Sequence, residues 1–425
     1  MNTTELKKAL ESGALKKYAA IYRDVEGETA RYLAAVDEFI ALYGEKEEVF
    51  LFSVPGRSEI SGNHTDHNHG RVLAAAIDRD IIAVAAKSDD GMIRVKSEGY
   101  PEDIVSLDEA KEPGAYKNYS SAALIAGTVG GFLRRDAAVG GFVAYTTTKV
   151  LKGSGISSSA AFEVMIGNIL NHLYNNAALP NEELAKIAQY AENAYFGKPC
   201  GLMDQMACAV GGFVAIDFND PKNPVIEPIA FSLTGAGLSL CIVNTGGNHA
   251  DLNEDYASVP AEMKKVAAYF GRDVLRGITE SEIIANIPVL RRAVGDRAIL
   301  RALHFVRENE RVKEQAEALR TGNIDLFLRD VIASGNSSFR FLQNVYTVKN
   351  VEEQGLSLAL AVAEGLLENK GCAYRVHGGG FAGTVQIFVR HELEKELVSV
   401  MDAVFGKGAS MILAVRGDGA IRITL

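Results

Sequence analysis

The chain has 425 residues, with 44 Lys and Arg against 54 Asp and Glu, for a formal net charge of −10. At roughly 150 residues per domain, that length predicts about two to three domains. The acidic balance excludes nucleic acid and anionic membrane as main partners, because both require a basic footprint. No apolar stretch reaches the ~18 residues that span a bilayer, and MNTTELKKALESG lacks the apolar region of a signal peptide. Cys200, Cys208, Cys241 and Cys372 form no CxxC pair, so they read as reduced thiols and the expected location is cytoplasmic. There is no Trp, so any sugar or aromatic ligand would have to be held by Tyr, Phe or hydrogen bonds.

In chain order, Leu33, Val36, Phe39, Ile40 and Tyr43 recur at helical spacing, which predicts a helix over Ala30–Tyr43. Val49–Val54 predicts a strand stopped by Pro55-Gly56. Ile81–Lys87 and Met92–Lys96 predict strands flanking an Asp89-Asp90-Gly91 turn. A helix over Tyr119–Leu133 and a strand over Gly141–Thr146 follow. Ser158–Tyr174 and Glu182–Tyr195 predict helices, with another starting near Met203. The punctuation at Gly211-Gly212 and Asn219–Pro228 marks a domain boundary, giving domains 1–218 and 219–425. Beyond it, Leu238–Val243, Thr384–Val389 and Met411–Val415 predict strands; Asp251–Phe270, Asp296–Arg320 and Val351–Glu368 predict helices. The fold class is α+β in two halves with mixed sheets.

Four clusters carry chemistry. PGRSEISGNHTDHNHG places His64, His67 and His69 within six residues, alongside Arg57, Glu59 and Asp66. The run reads as a metal cluster of the metallo-hydrolase type, as a polyol-binding loop, or as a solvated polar loop. GSGISSSAA (Gly153–Ala161) opens a helix. Its glycines, N–H groups and hydroxyls suit a phosphate, although a plain helix cap fits the same residues. AENAYFGKPCGLMDQ sets Glu192 and Asp204 on either side of a tight loop, where two acids could divide metal binding from proton transfer or simply cap helices. HGGGFAG (His377–Gly383) leads into a strand, as a close backbone approach or a tight turn would.

Taken together, the four clusters resemble the GHMP small-molecule kinases, and within them the galactokinase branch. GRSEISGNHTDHNHGRVLA matches the family's GRxNxxGEHTDYNxGxVLP, LKGSGISSSAA its PxGxGLSSSAA, and HGGGFAGTV its TGGGFGGCT. AENAYFGKPCGLMDQ follows the family's AExxF…PCGxMDQ, and Asn253–Tyr256 echoes its SEY segment. The resemblance implies a two-domain GHMP fold with the active site in the cleft between domains. It implies an ATP-dependent kinase acting on the anomeric C1 hydroxyl of galactose or a close relative. ATP would lie along Gly153, Ser154, Gly155, Ser157, Ser158 and Ser159, with Mg²⁺ on Ser159 and Glu192. Asp204 would be the general base and Arg57 its partner at the transferred phosphoryl group. Asn63, His64, Asp66 and Tyr256 would bind the sugar. A monomer or weak homo-oligomer is expected.

The departures concern the sugar. Asn63 stands where the family has the Glu that binds the C6 end, and Glu59 stands where it has Asn. His67 replaces a Tyr, Leu151 a Pro and Asn193 a His. A neutral amide at position 63 would relax galactose selectivity or admit galacturonate or another derivative. A non-catalytic sugar and nucleotide sensor on the same fold is the reading from another class.

Overall fold

The computed structural model describes residues 1–150, 155–198, 200–247 and 252–425. They form two compact units: Met1–Arg57, Ala76–Gly212 and Arg416–Leu425 make the first, and Ser58–Ala75 with Phe213–Val415 the second. The chain is thus divided differently from a single cut at 218/219. The segment carrying Asn63, His64 and Asp66 belongs with the C-terminal half, and the last ten residues return to the first unit.

The first stretch runs α1 (Thr3–Glu11), α2 (Val25–Tyr43), β1 (Phe50–Ser61), β2 (Arg71–Ser88), β3 (Met92–Ser97), β4 (Glu102–Ser106), α3 (Ser121–Leu133), β5 (Gly141–Thr148), α4 (Ser158–Tyr174), α5 (Asn181–Tyr190) and α6 (Met203–Val210). The next contains β6 (Phe213–Asp217), β7 (Val225–Ile229), β8 (Leu238–Asn244), α7 (Asn253–Tyr269), α8 (Glu280–Ala293), α9 (Asp296–Arg320), α10 (Ile324–Ser337), α11 (Gly355–Leu367), β9 (Ala373–Val376), β10 (Thr384–Arg390), α12 (Glu394–Phe405) and β11 (Ser410–Leu413); β12 (Ile421–Ile423) ends the chain.

In the first unit the strand order is β12-β1-β2-β5-β3-β4. β2 and β5 are antiparallel with Ile81 opposite Thr148, while β3 and β5 are parallel with Ile93 opposite Phe142. Leu6, Leu10, Tyr32, Phe39, Leu51 and Val84 pack α1 and α2 onto this sheet. In the second unit the start of β2 pairs with β6, Arg71 opposite Asp217, and β6 pairs with β7. A separate sheet in the order β11-β8-β10-β9 packs Val243, Val376 and Ile387 against Leu356 and Ala363 of α11 and Leu397 of α12.

Pro55-Gly56 does not end β1, which runs on to Ser61. A Cβ at Gly56 would sit 2.7 Å from the Ile156 carbonyl, so only Gly lets the strand pass there. Arg57 N–H then bonds the same carbonyl at 3.1 Å. β2 is longer than its apolar C-terminal half because the charged Asp80 is absorbed by Arg31 at 2.6 Å. The predicted helix through Tyr195 stops at Tyr190, and a wider π-helical turn follows over Ala191–Phe196. Such turns recur at functional sites, and this one carries Glu192. It lies close to α3 because Gly127 and Gly130 leave room; Cβ atoms there would come within 2.6 Å of Ala191 and 2.2 Å of the Tyr195 hydroxyl.

Candidate active site

The first unit brings Arg57, Gly155, Ser157, Glu192 and Asp204 together. Arg57 comes from β1 and Asp204 from the first turn of α6. Arg57 Nε and Nη2 donate to Asp204 Oδ1 and Oδ2, both at 2.7 Å. This is a bidentate fork, the strongest geometry for such a pair. Arg57 Nη1 also donates to the Gly155 carbonyl at 2.5 Å. Burial works to raise the Asp204 pKa, but the Arg57 charge, its hydrogen bonds and the Ser157 hydroxyl together hold it below the usual carboxylate value. Asp204 is therefore an ionised acceptor at neutral pH. Each carboxylate oxygen can accept more than one hydrogen bond, so it keeps capacity for an incoming proton.

Ser157 does not cap α4. Its backbone is left-handed at φ +60° and its side chain makes no cap bond; the hydroxyl donates to Asp204 Oδ2 instead. Ser158 and Ser159 form the half-buried first turn of α4, and Gly155 is exposed before it. Gly153 and Ser154 lie outside the described residues.

Glu192 is buried. Its Oε2 accepts from Gln205 Nε2 at 2.8 Å and its Oε1 from Lys198 Nζ at 3.2 Å. Gln205 also donates to Glu163 Oε2 at 3.3 Å, while Glu163 Oε1 is buried with no partner. Burial, reinforced by the nearby Glu192, pushes the Glu163 carboxyl well above its ordinary pKa. Asn193, which stands in for a family His, ties down the loop: its Oδ1 accepts from Cys200 N–H at 2.7 Å. Glu163, Lys198 and Gln205 escaped the sequence reading. Their signal was adjacency, since Glu163 follows SSSAAF and Gln205 follows Asp204.

The second unit gathers Asn63, His64 and Tyr256 around the Gly378–Gly380 turn. His64 Nε2 meets the Gly379 carbonyl at 2.9 Å, and Tyr256 Oη donates to the Gly380 carbonyl at 2.8 Å. The Tyr256 ring stands edge-on to Phe381 with centroids 5.4 Å apart. Asp66 opens a short turn and is half-buried. Burial keeps the His64 and His67 imidazoles below their ordinary pKa, His67 at about 4.

Asn63 departs from its expected place as a sugar ligand. It is fully buried. Its Nδ2 donates to Glu59 Oε1 at 2.6 Å and to the Gly378 carbonyl at 2.5 Å. Its Oδ1 accepts from Ser338 Oγ at 3.0 Å and from Arg375 Nη2. The polar set beneath it is also new to the structure. His304 Nε2 bonds the Asn63 carbonyl at 3.0 Å, and Glu308 Oε1 accepts from Ser61 Oγ at 2.9 Å and Gly62 N–H at 3.1 Å. Among the described residues no group of three or more His, Cys, Asp or Glu side chains could hold a metal ion, which removes the geometric basis for reading HTDHNH as a metallo-hydrolase cluster. Nor is any described helix long and apolar enough to cross a membrane.

Comparison with known proteins gives a consistent set of likenesses. A family model described as the galactokinase galactose-binding signature matches residues 37–87, and one for the GHMP kinase N-terminal domain matches residues 123–212. A galactokinase from Streptomyces coelicolor is 30% identical over 91% of this chain and 97% of that protein. A galactokinase from Lactococcus lactis subsp. lactis is 28% identical over 92% of this chain and 96% of its own length. The crystal structure of Lactococcus lactis galactokinase complexed with galactose superimposes with a TM-score of 0.74 at 25% identity, covering 91% of this chain and 98% of that one. A mevalonate kinase structure shares the fold at 15% identity, with a TM-score of 0.61 over 87% of this chain and 99% of its own.

Proposed function

The chain belongs to the galactokinase family, and on that premise we propose that it is an ATP-dependent sugar kinase phosphorylating the anomeric C1 hydroxyl of galactose. The observation that carries this reading is the Arg57–Asp204 fork. Asp204 takes the proton of the C1 hydroxyl as its oxygen bonds to the γ-phosphorus; the bond from that phosphorus to the β,γ-bridging oxygen breaks and ADP leaves. Arg57 keeps Asp204 ionised and faces the charge that spreads over the transferred group. Positioning and charge are most of what phosphoryl transfer requires. The half-buried Ser158 and Ser159, at the start of α4, supply N–H and hydroxyl donors for the phosphates. His64, Asp66 and Tyr256 are assigned to the sugar.

Mg²⁺ fits the residues present. Glu192 is a buried carboxylate neutralised by the exposed Lys198 ammonium, and Glu163 offers an unpartnered oxygen beside it. Ser159 and Glu192 would hold the ion, which supplies neutralisation of phosphate charge when bound. Lys198 would then release Glu192 Oε1.

The test is a sugar-panel assay of ADP release, with the phosphorylated position read by NMR. Galactose-dependent ADP release and a phosphate on the anomeric oxygen are expected. Nucleotide binding without any sugar-dependent ADP release would overturn the proposal in favour of a sensor.

A further inference from the structure

A buried amide with no spare hydrogen bond cannot read a ligand. An Asn side chain has two N–H donors and an oxygen with two lone pairs. Asn63 spends both donors on Glu59 Oε1 and the Gly378 carbonyl, and both acceptor positions on Ser338 and Arg375. A carboxylate at position 63 could not do the same, because it has no N–H for Glu59 or for Gly378. The fully buried Arg375 reinforces the arrangement: it also donates to the Ile60 carbonyl at 2.9 Å and to that of Val376 at 3.0 Å.

Glu59 is placed differently. Burial along the end of β1 alternates, leaving Arg57 and Glu59 partly exposed while Ser58, Ile60 and Ser61 are buried. The Glu59 carboxylate is held through Oε1 by the Asn63 amide, the same amide that grips Gly378. His64 and Tyr256 grip the next two carbonyls of that turn. Glu59 is therefore a half-exposed, fixed carboxylate anchored through Asn63 to the turn that the sugar motif embraces. The motif itself shows the exchange: its usual amide and acid have traded places between positions 59 and 63.

We infer that Glu59 is the specificity-determining acid of this chain. It accepts a hydrogen bond from a hydroxyl of a neutral hexose and rejects the corresponding uronate by like-charge repulsion; Asn63 is its positioning residue. This rests on the sugar-kinase reading above. It reverses the expectation that the loss of an acid at position 63 would admit galacturonate, because the acid has been relocated rather than lost.

Two measurements test it. In the unaltered protein, kcat/KM for galactose should exceed that for galacturonate by about 100-fold; equal use of the two sugars overturns the inference. In Glu59→Gln, KM for galactose should rise about 10- to 100-fold, the scale of a hydrogen bond to a charged group. The galactose-to-galacturonate ratio should fall, with KM for ATP and the melting temperature unchanged. Unchanged sugar KM and ratio in that variant would overturn the inference while sugar-dependent ADP release still upheld the kinase reading. Asn63→Glu alone should lose both stability and sugar affinity, and adding Glu59→Asn should recover sugar affinity in part. A double variant no better than Asn63→Glu would also count against the exchange.

Discussion

Asp204 and Arg57 are 147 residues apart in sequence and 2.7 Å apart in space. Removing the base while keeping the shape, as in Asp204→Asn, should lower kcat by about 1000-fold. ATP binding, followed by calorimetry, should persist; full turnover would remove Asp204 as the base. The pH dependence follows from which forces set its ionisation. Burial raises the Asp204 pKa, and Arg57, with help from Ser157 and Lys198, more than offsets it. A lowered folded-state pKa keeps the base ionised as pH falls, so the acid limb of kcat/KM lies low. In Arg57→Gln only burial and the weaker partners remain, and the limb should move to higher pH; an unmoved limb would show that Arg57 does not tune the base. This pair was legible in the sequence because each member sits in a motif whose chemistry is recognisable. The saturation of Asn63 was not, since two of its partners, Arg375 and Ser338, lie 312 and 275 residues away. An amide in a sugar motif reads as a ligand until those partners are seen.

At the scale of elements, the sequence shows periodicity well and interruption poorly. The predicted helix over Asp296–Arg320 matches α9 end to end, because its apolar stripe is continuous. β1 and β2 run past the expected strands because a close backbone approach at Gly56 and a buried ion pair at Asp80 accommodate residues that would otherwise interrupt them. α9 also carries the polar support of the Ser61–Asn63 loop, with His304 and Glu308 one turn apart and both buried. Burial opposes charge on Glu308, yet Arg311, His304 and Arg375 hold it ionised, with a pKa of about 2. Its stabilising effect is complete above the ordinary carboxyl value of 4.5 and is lost as pH falls toward about 2. Burial keeps His304 neutral to about 4, so below its ordinary 6.5 the unfolded chain takes up a proton that the fold refuses. Both effects destabilise in acid, and the melting temperature should decline steadily below pH 6.5. In His304→Gln the decline between pH 6.5 and 4 should flatten. Glu308→Gln should cost about 3 kcal/mol at pH 7 by leaving Arg311 and Arg375 underpaired. A parallel decline in the His304 variant would refute the assignment.

At the scale of the molecule, the last ten residues brace the helix that carries Asp204. Arg416 is fully buried; it donates to Ser53 Oγ at 2.7 Å, to Asp80 Oδ2 at 3.3 Å and to the Gly419 carbonyl at 3.1 Å. β12 then pairs antiparallel with β1, Leu51 opposite Ile423, on the strand that also bears Arg57. Between them, Ala420 N–H bonds the Ala209 carbonyl at 2.9 Å in the last turn of α6. One of the helix's terminal carbonyls thus finds its partner in the C-terminal tail. Gly419 lies against this turn so closely that a Cβ would fall 2.0 Å from the Ala209 oxygen. Neither Arg416 nor Gly419 belongs to a motif, so nothing local in the sequence ties them to Asp204. Arg416→Met should cost about 3 kcal/mol by stripping Asp80 of a buried partner, which corresponds to a fall of roughly 10 °C in melting temperature. Gly419→Ala should lower the melting temperature and also reduce kcat, because relieving the clash displaces the end of α6. In that variant KM for galactose should hold, since the residues proposed to face the sugar, Glu59, His64 and Tyr256, lie in the second unit. A Gly419→Ala protein with unchanged melting and unchanged kcat would show that the tail is a passive appendage and not the clamp on α6.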